Sequence, residues 1–170
     1  PAERRITRAG APHPAPLPTE AVETMKKTLA ALALMAALPA FAQFAMVPAP
    51  QCQTPPPSGT DVEREYRIDA ARHLYRCYPQ RILKGKMPPM LYGVMMVETE
   101  IDAAGQVLDI RVVRKPAADE VAPWVIAMIR RAAPFPAPVR MASGSARFME
   151  IWLVDKSGQF QVDSLTEGQR

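Results

Sequence analysis

The residues best placed for chemistry are two cysteines, one carboxylate–histidine pair and one row of acids. Cys52 and Cys77 are the only cysteines in the chain. In a compartment where disulfides persist, a bridge between them would close a loop of about 26 residues, worth about 3.5 kcal/mol in the chain-entropy model. Free or intermolecular thiols are the other reading. Two cysteines so far apart, with one histidine, His73, between them, do not make a recognisable metal-ligand set. Asp69 and His73 stand at a spacing that brings side chains together on a helix. A catalytic pair would need a nucleophile oriented against it, and no Gly-x-Ser-x-Gly motif occurs. A helix-surface or interface histidine is therefore expected.

Glu98, Glu100 and Asp102 alternate along one segment. Acid–base work or cation binding needs such groups in a concave, desolvated place, whereas strand alternation already explains them as a solvated face. Gly105 and Gly158 are isolated turn glycines without phosphate-loop spacing. Trp124 and Trp152 read as packing residues. The methionines (Met87, Met90, Met95, Met96, Met128, Met141 and Met149) either form an adaptable binding surface or fill the core. No catalytic residue, metal or cofactor is expected, and the chain reads as a non-enzyme.

The elements that must position these residues follow from periodicity. Thr60-Asp61-Val62-Glu63 offers an N-cap with acids in the first turn. Tyr66, Ala70, His73, Leu74 and Cys77 then form one helical stripe, ended by Tyr78-Pro79. In the second half of Leu91 to Asp102, Met95, Val97, Thr99 and Ile101 alternate with acids, which predicts a half-buried strand. Asp102 to Gly105 is a turn, with Gly105 at positive φ. Val107 to Arg114 returns as the second strand. Pairing Ile101 with Gln106 places Thr99 against Leu108, Val97 against Ile110, Met95 against Val112 and Glu98 against Asp109. Asp119-Glu120 caps a second helix whose buried stripe is Val121, Val125, Met128, Ile129 and Ala132, closed by Pro134 to Pro138. Phe148 to Val154 is a third strand, Asp155 to Gly158 a turn, and Gln159 to Val162 a short fourth strand. The order predicts an α+β domain: a small antiparallel sheet of three to four strands with two helices on one face.

Composition and targeting signals frame this domain. Met25 to Ala42 has the basic start, short apolar run and Ala40-Phe41-Ala42 ending of a secretory signal peptide, cut to leave Gln43 first. Residues 1–24 read as a probable non-native upstream extension. Residues 43–59 form a Pro-rich linker, where no packed structure is expected. The domain spans 60–162, and 163–170 is a polar, frayed tail. The chain's formal charge is +4, from 21 Lys/Arg and 17 Asp/Glu. Removing the first 42 residues, with their five basic and three acidic groups, leaves 16 against 14, or +2. No basic cluster with interleaved aromatics appears, which argues against a nucleic-acid partner.

Tyr78-Pro79, the hairpin Val94 to Pro116, the helix Val121 to Pro138 with its Phe-Pro-x-Pro exit, and Phe148 to Val154 together resemble the C-terminal domain of the TonB and TolA family. That resemblance covers Tyr78 to Val162. It implies a TonB C-terminal-like fold and a periplasmic partner-binding role, in which an envelope protein, outer-membrane or periplasmic, pairs with a sheet edge. The edge is expected at the third strand, with Phe148, Glu150, Ile151, Trp152 and Val154 as partner-binding residues, since FMEIWLV lacks a Pro or Lys guard. A homodimer by strand pairing is a second use of such an edge. A cleaved leader places the protein in the periplasm. An uncleaved one would make it a membrane-anchored energy transducer of the TonB family.

Overall fold

A computed structural model of the chain describes residues 42–169. The upstream stretch 1–24 and the leader up to residue 41 lie outside the described residues. After a helical turn at Ala42–Ala45, helix α1 spans Glu63–Cys77 and α2 Val121–Arg131. The strands are β1 Gly93–Ile101, β2 Val107–Arg114, β3 Ala146–Val154 and β4 Phe160–Val162. They form one antiparallel sheet in the order β2-β1-β3-β4. The protein is an α+β fold, as its periodicity predicts.

The stripe Tyr66, Ala70, His73, Leu74 and Cys77 is buried, joined by Ala71. The helix begins at Glu63, later than the proposed cap. Thr60 still acts there: its Oγ1 accepts from the Val62 N–H at 3.1 Å and donates to Glu65 at 2.8 Å. In β1, Met95, Val97, Thr99 and Ile101 face the core. Opposite them stand Phe148, Glu150, Trp152 and Val154 of β3 and, from α2, Val121, Trp124, Val125, Met128 and Ile129. Trp152 stacks on Phe160 with ring centroids 4.7 Å apart. Tyrosine hydroxyls tie the helical layer together, Tyr66 donating to Pro136 O at 2.7 Å and Tyr78 to Met128 O at 2.8 Å.

The hairpin register differs from the predicted one. Ile101 opposes Val107, Thr99 opposes Ile110 and Val97 opposes Val112. The offset begins at the turn, which is one residue longer than predicted, and grows by one at Leu108, an extra residue without a partner in β1; a second irregularity leaves Val113 extra further along. Both are exposed, at 59% and 40%. Such bulges increase local twist and spoil a strand edge for pairing. The longer turn and the Leu108 bulge together bring Arg111, instead of Asp109, opposite Glu98, where the two form an ion pair at 3.0 Å.

Two segments expected to be loose are packed. In the Pro-rich stretch, Phe44 is buried between Tyr92 and Trp124. Ser58 is buried too, its N–H on Ala137 O at 2.9 Å and its hydroxyl on Asp69 at 2.8 Å. The stretch is thus a strap across both helices. At the other end, Asp163–Leu165 forms a 3-10 turn, and Gly168 O accepts from Met87 N–H at 2.8 Å. The tail is held because Gln161, buried on β4, uses all four of its hydrogen-bonding positions. Its amide nitrogen donates to Leu83 O and Gly85 O, and its oxygen accepts from Thr166 and the Glu167 N–H. Leu83 N–H also bonds Phe160 O at 3.1 Å, so this segment lies along the outer side of β4.

Candidate functional site

The third strand is not a sheet edge. It lies between β1 and β4, paired with β1 along its whole length. Consequently Phe148, Glu150, Trp152 and Val154 point into the core, and Ile151 alone of the five expected contact residues turns to the opposite face. The sequence of β3 reads as an unguarded edge because its apolar content comes from burial on one face and pairing on both sides. What stays open is half of its outer side. β4 pairs only with Trp152, Leu153 and Val154, so among the described residues no strand pairs with Arg147–Ile151 on that side.

Along this open half, carboxylates occupy the backbone. The Arg147 N–H donates to Glu63 Oε1 at 3.3 Å, and the Ile151 N–H to Glu150 Oε1 at 3.1 Å. With period-two geometry, the Met149 N–H between them faces the same way. Beside it lies a groove of about 410 Å³ between β3 and the start of α1, lined by Glu63, Arg64, Arg67, Arg147, Phe148 and Met149. Its lining is basic, three arginines to one glutamate over an apolar floor, but Arg67 is paired with Asp163 at 3.5 Å and Arg147 with Glu100 at 2.8 Å.

Glu150 is the one acidic side chain buried among the described residues. Burial pushes its carboxyl above the usual range, opposed by hydrogen bonds from Ser164 and the Ile151 N–H and by the Arg67 charge. The Ser164 hydroxyl and N–H both donate to it. Sequence alone misses this arrangement, since Ser164 and Arg67 are distant in the chain and a glutamate in a strand reads as solvent-facing.

A second cluster lies at the end of α1. Cys52 and Cys77 are joined by a disulfide, so no free thiol remains among the described residues. His73 packs beside it, with Nε2 3.3 Å from Cys77 Sγ, 3.9 Å from Cys52 Sγ and 2.7 Å from Ala132 O. A carbonyl only accepts, so Nε2 carries the proton. Nδ1 is buried without a hydrogen-bond partner. Burial holds the imidazole below its ordinary pKa, the Ala132 carbonyl raises it and Arg76 lowers it further. Sequence spacing does not show that these three residues meet, with donor atoms within 4.8 Å of one another. In the bridged form neither sulfur is a thiolate, the state in which cysteine ligates metal.

The remaining candidates take separate, structural partners. Asp69 accepts from Ser58 and from Arg72 at 3.4 Å, while His73 turns inward to Ala132, so the two form no pair. Glu98 pairs with Arg111, and Glu100 with Arg147 at 2.8 Å. Asp102 accepts from the Ala104 and Gln106 N–H groups and shapes the turn. Trp124 and Trp152 are core residues. The methionines divide: Met87, Met95 and Met128 are fully buried, Met90 and Met149 exposed. Among the described residues no helix is long and apolar enough to cross a membrane. Comparison with known proteins finds no matching family model, curated relative or solved structure.

Proposed function

We propose that the domain is a protein-binding module that receives an extended segment of an envelope protein along the open half of β3. The observation that carries this reading is the unpaired stretch Arg147–Ile151, whose outward N–H groups rest on side-chain carboxylates beside a basic groove. An added strand would offer main-chain carbonyls in place of Glu63 and Glu150, and pairing of this kind takes affinity from the backbone and specificity from flanking side chains. Arg64, which has no ion-pair partner among the described residues, favours a segment carrying an acidic residue. Met149, exposed on this face, supplies the apolar contact. The resemblance to TonB and TolA C-terminal domains agrees with this role, and the leader-like sequence at Met25 to Ala42 supports a periplasmic setting for it.

The reading is tested with a photo-crosslinking residue at Arg64, on the helix side of the groove, in the full chain. The captured partner is identified by mass spectrometry. Met149→Pro then removes one outward donor without touching a bond to β1 or β4. The expected result is a variant folded by circular dichroism that no longer forms the adduct. A folded Met149→Pro chain that crosslinks to the same partner with undiminished yield refutes strand addition at this position.

A further inference from the structure

We propose that the Cys52–Cys77 bridge is a thiol–disulfide exchange site, at which the thiolate of a dithiol attacks Cys52 while His73 holds the departing Cys77 sulfur. The two sulfurs differ in access. Cys77 closes α1 and is wholly buried, whereas Cys52 is half-buried in the strap. Cys52 also lines a surface groove of about 340 Å³ together with Gln51, Gln53, Thr54, Pro55 and Arg76. A nucleophile entering from solvent therefore meets Cys52 first. Arg76 at the groove favours an anionic one, such as a thiolate.

The surroundings of the buried sulfur suit a leaving group. Exchange is faster when the departing thiolate is stabilised. The His73 Nε2–H, donated to Ala132 O at 2.7 Å, also lies 3.3 Å from Cys77 Sγ against 3.9 Å from Cys52 Sγ, so a thiolate at Cys77 would share it as the second acceptor of a bifurcated bond. The His73 ring is set by the Ala132 carbonyl, which fixes the proton on Nε2. The same ring leaves Nδ1 buried and unpartnered. That is costly for a purely structural histidine. A proton taken up there would make the ring an imidazolium and strengthen donation from Nε2 to the thiolate.

The chemistry balances with a dithiol as reductant. One thiolate of the dithiol bonds to Cys52 Sγ, the Cys52–Cys77 bond breaks, and its electron pair leaves on Cys77 Sγ. The second thiol of the dithiol, deprotonated, attacks the sulfur joined to Cys52 and expels the Cys52 thiolate. The dithiol becomes a disulfide, and the protein gains two electrons and two protons as Cys52 and Cys77. Reduction removes the covalent tie between the strap and α1. It leaves the weaker ties, among them the Gln51 N–H on Cys77 O at 2.7 Å and Arg131 on Val47 O at 2.6 Å.

The experiment uses the full chain, whose two cysteines make the assignment unambiguous. The native protein is held in a glutathione buffer, quenched with acid, alkylated with a maleimide and mapped by mass spectrometry. The expected product carries glutathione on Cys52 and maleimide on Cys77. Glutathione on Cys77, or no adduct until denaturant is added, overturns attack at Cys52. Reduction rates with dithiothreitol then test His73 as a positioning residue. His73→Phe is expected to slow reduction about tenfold or more, the size of one hydrogen bond to a developing charge. His73→Gln, which keeps an N–H donor, should stay within about threefold of the parent rate. Equal rates in all three chains, or equal slowing in both variants, overturn the role of His73. If His73→Phe does not fold, the adduct map on the unmodified chain still decides the site of attack.

Discussion

Replacing Gln161 by Glu changes one atom type in a buried place where every hydrogen bond is assigned. The amide orientation is forced, because Leu83 O and Gly85 O can only accept and the Glu167 N–H can only donate. The bonds are 2.8 and 2.7 Å from Nε2, and 2.8 and 3.2 Å to Oε1. In Gln161→Glu the shape is kept, but both donors are lost and a carboxylate oxygen faces two carbonyl oxygens. Two lost hydrogen bonds account for about 1–3 kcal/mol. Two stranded carbonyls and a buried charge raise the total to about 3–5 kcal/mol at neutral pH. Burial raises the new carboxyl's pKa in the folded state, so the penalty is complete above that folded pKa. It shrinks as pH falls through that value toward the unfolded one, about 4.3. Recovery is partial, since a protonated carboxyl donates to only one of the two carbonyls. Urea unfolding at pH 7 and near pH 4 measures the effect, and hydrogen exchange at Leu83, Met87 and Glu167 locates it. A loss below about 1 kcal/mol at pH 7, or an equal loss at both pH values, would refute the argument.

Three further outcomes follow from buried contacts. Glu150→Gln keeps an oxygen for the Ile151 and Ser164 N–H groups and can donate to the Ser164 hydroxyl, while removing a charge that burial disfavours. Because the folded pKa of Glu150 is raised, the parent loses stability as pH rises through that range. The Gln variant should therefore be the more stable at pH 7, with the gap closing toward pH 4, and thermal melts at both pH values check this. Glu150→Ala, which strands two N–H groups, should instead cost about 2–4 kcal/mol. Gly105→Ala should cost about 3 kcal/mol or more in urea unfolding, and a loss under about 1 kcal/mol would sink the reasoning. Gly105 has φ +83°, and a Cβ there would stand 2.1 Å from the Phe135 carbonyl oxygen.

Some of this molecule is legible in its sequence, for a local reason. The stripe from Tyr66 to Cys77, the alternation from Met95 to Ile101 and the stripe from Val121 to Ile129 each repeat with the period of the element that forms. A stripe of that kind needs only its own residues to declare a face. Gly105 likewise announces its turn, because positive φ is a property of one residue. The even cysteine count pointed to a bridge, with free thiols left as the other reading. The tertiary structure decided the rest. Apolar content in Phe148–Val154 cannot distinguish an edge strand from an inner one, and β4 becomes its neighbour only once the chain turns at Asp155–Gly158. A turn one residue longer than predicted and one extra residue, Leu108, moved the register and exchanged Asp109 for Arg111 opposite Glu98. Phe44, Ser58 and Ser164 lie in segments whose composition reads as linker or tail, and Gln161 in a short strand whose polar partners the sequence does not show. They are ordered by distant partners, as from Gln161 to Leu83, 78 residues away. His73 meets the disulfide because the strap crosses α1 at its last turn. Periodicity carries information over one helix or strand, while the pairing of distant polar groups is set only when the packed core brings them within hydrogen-bond reach.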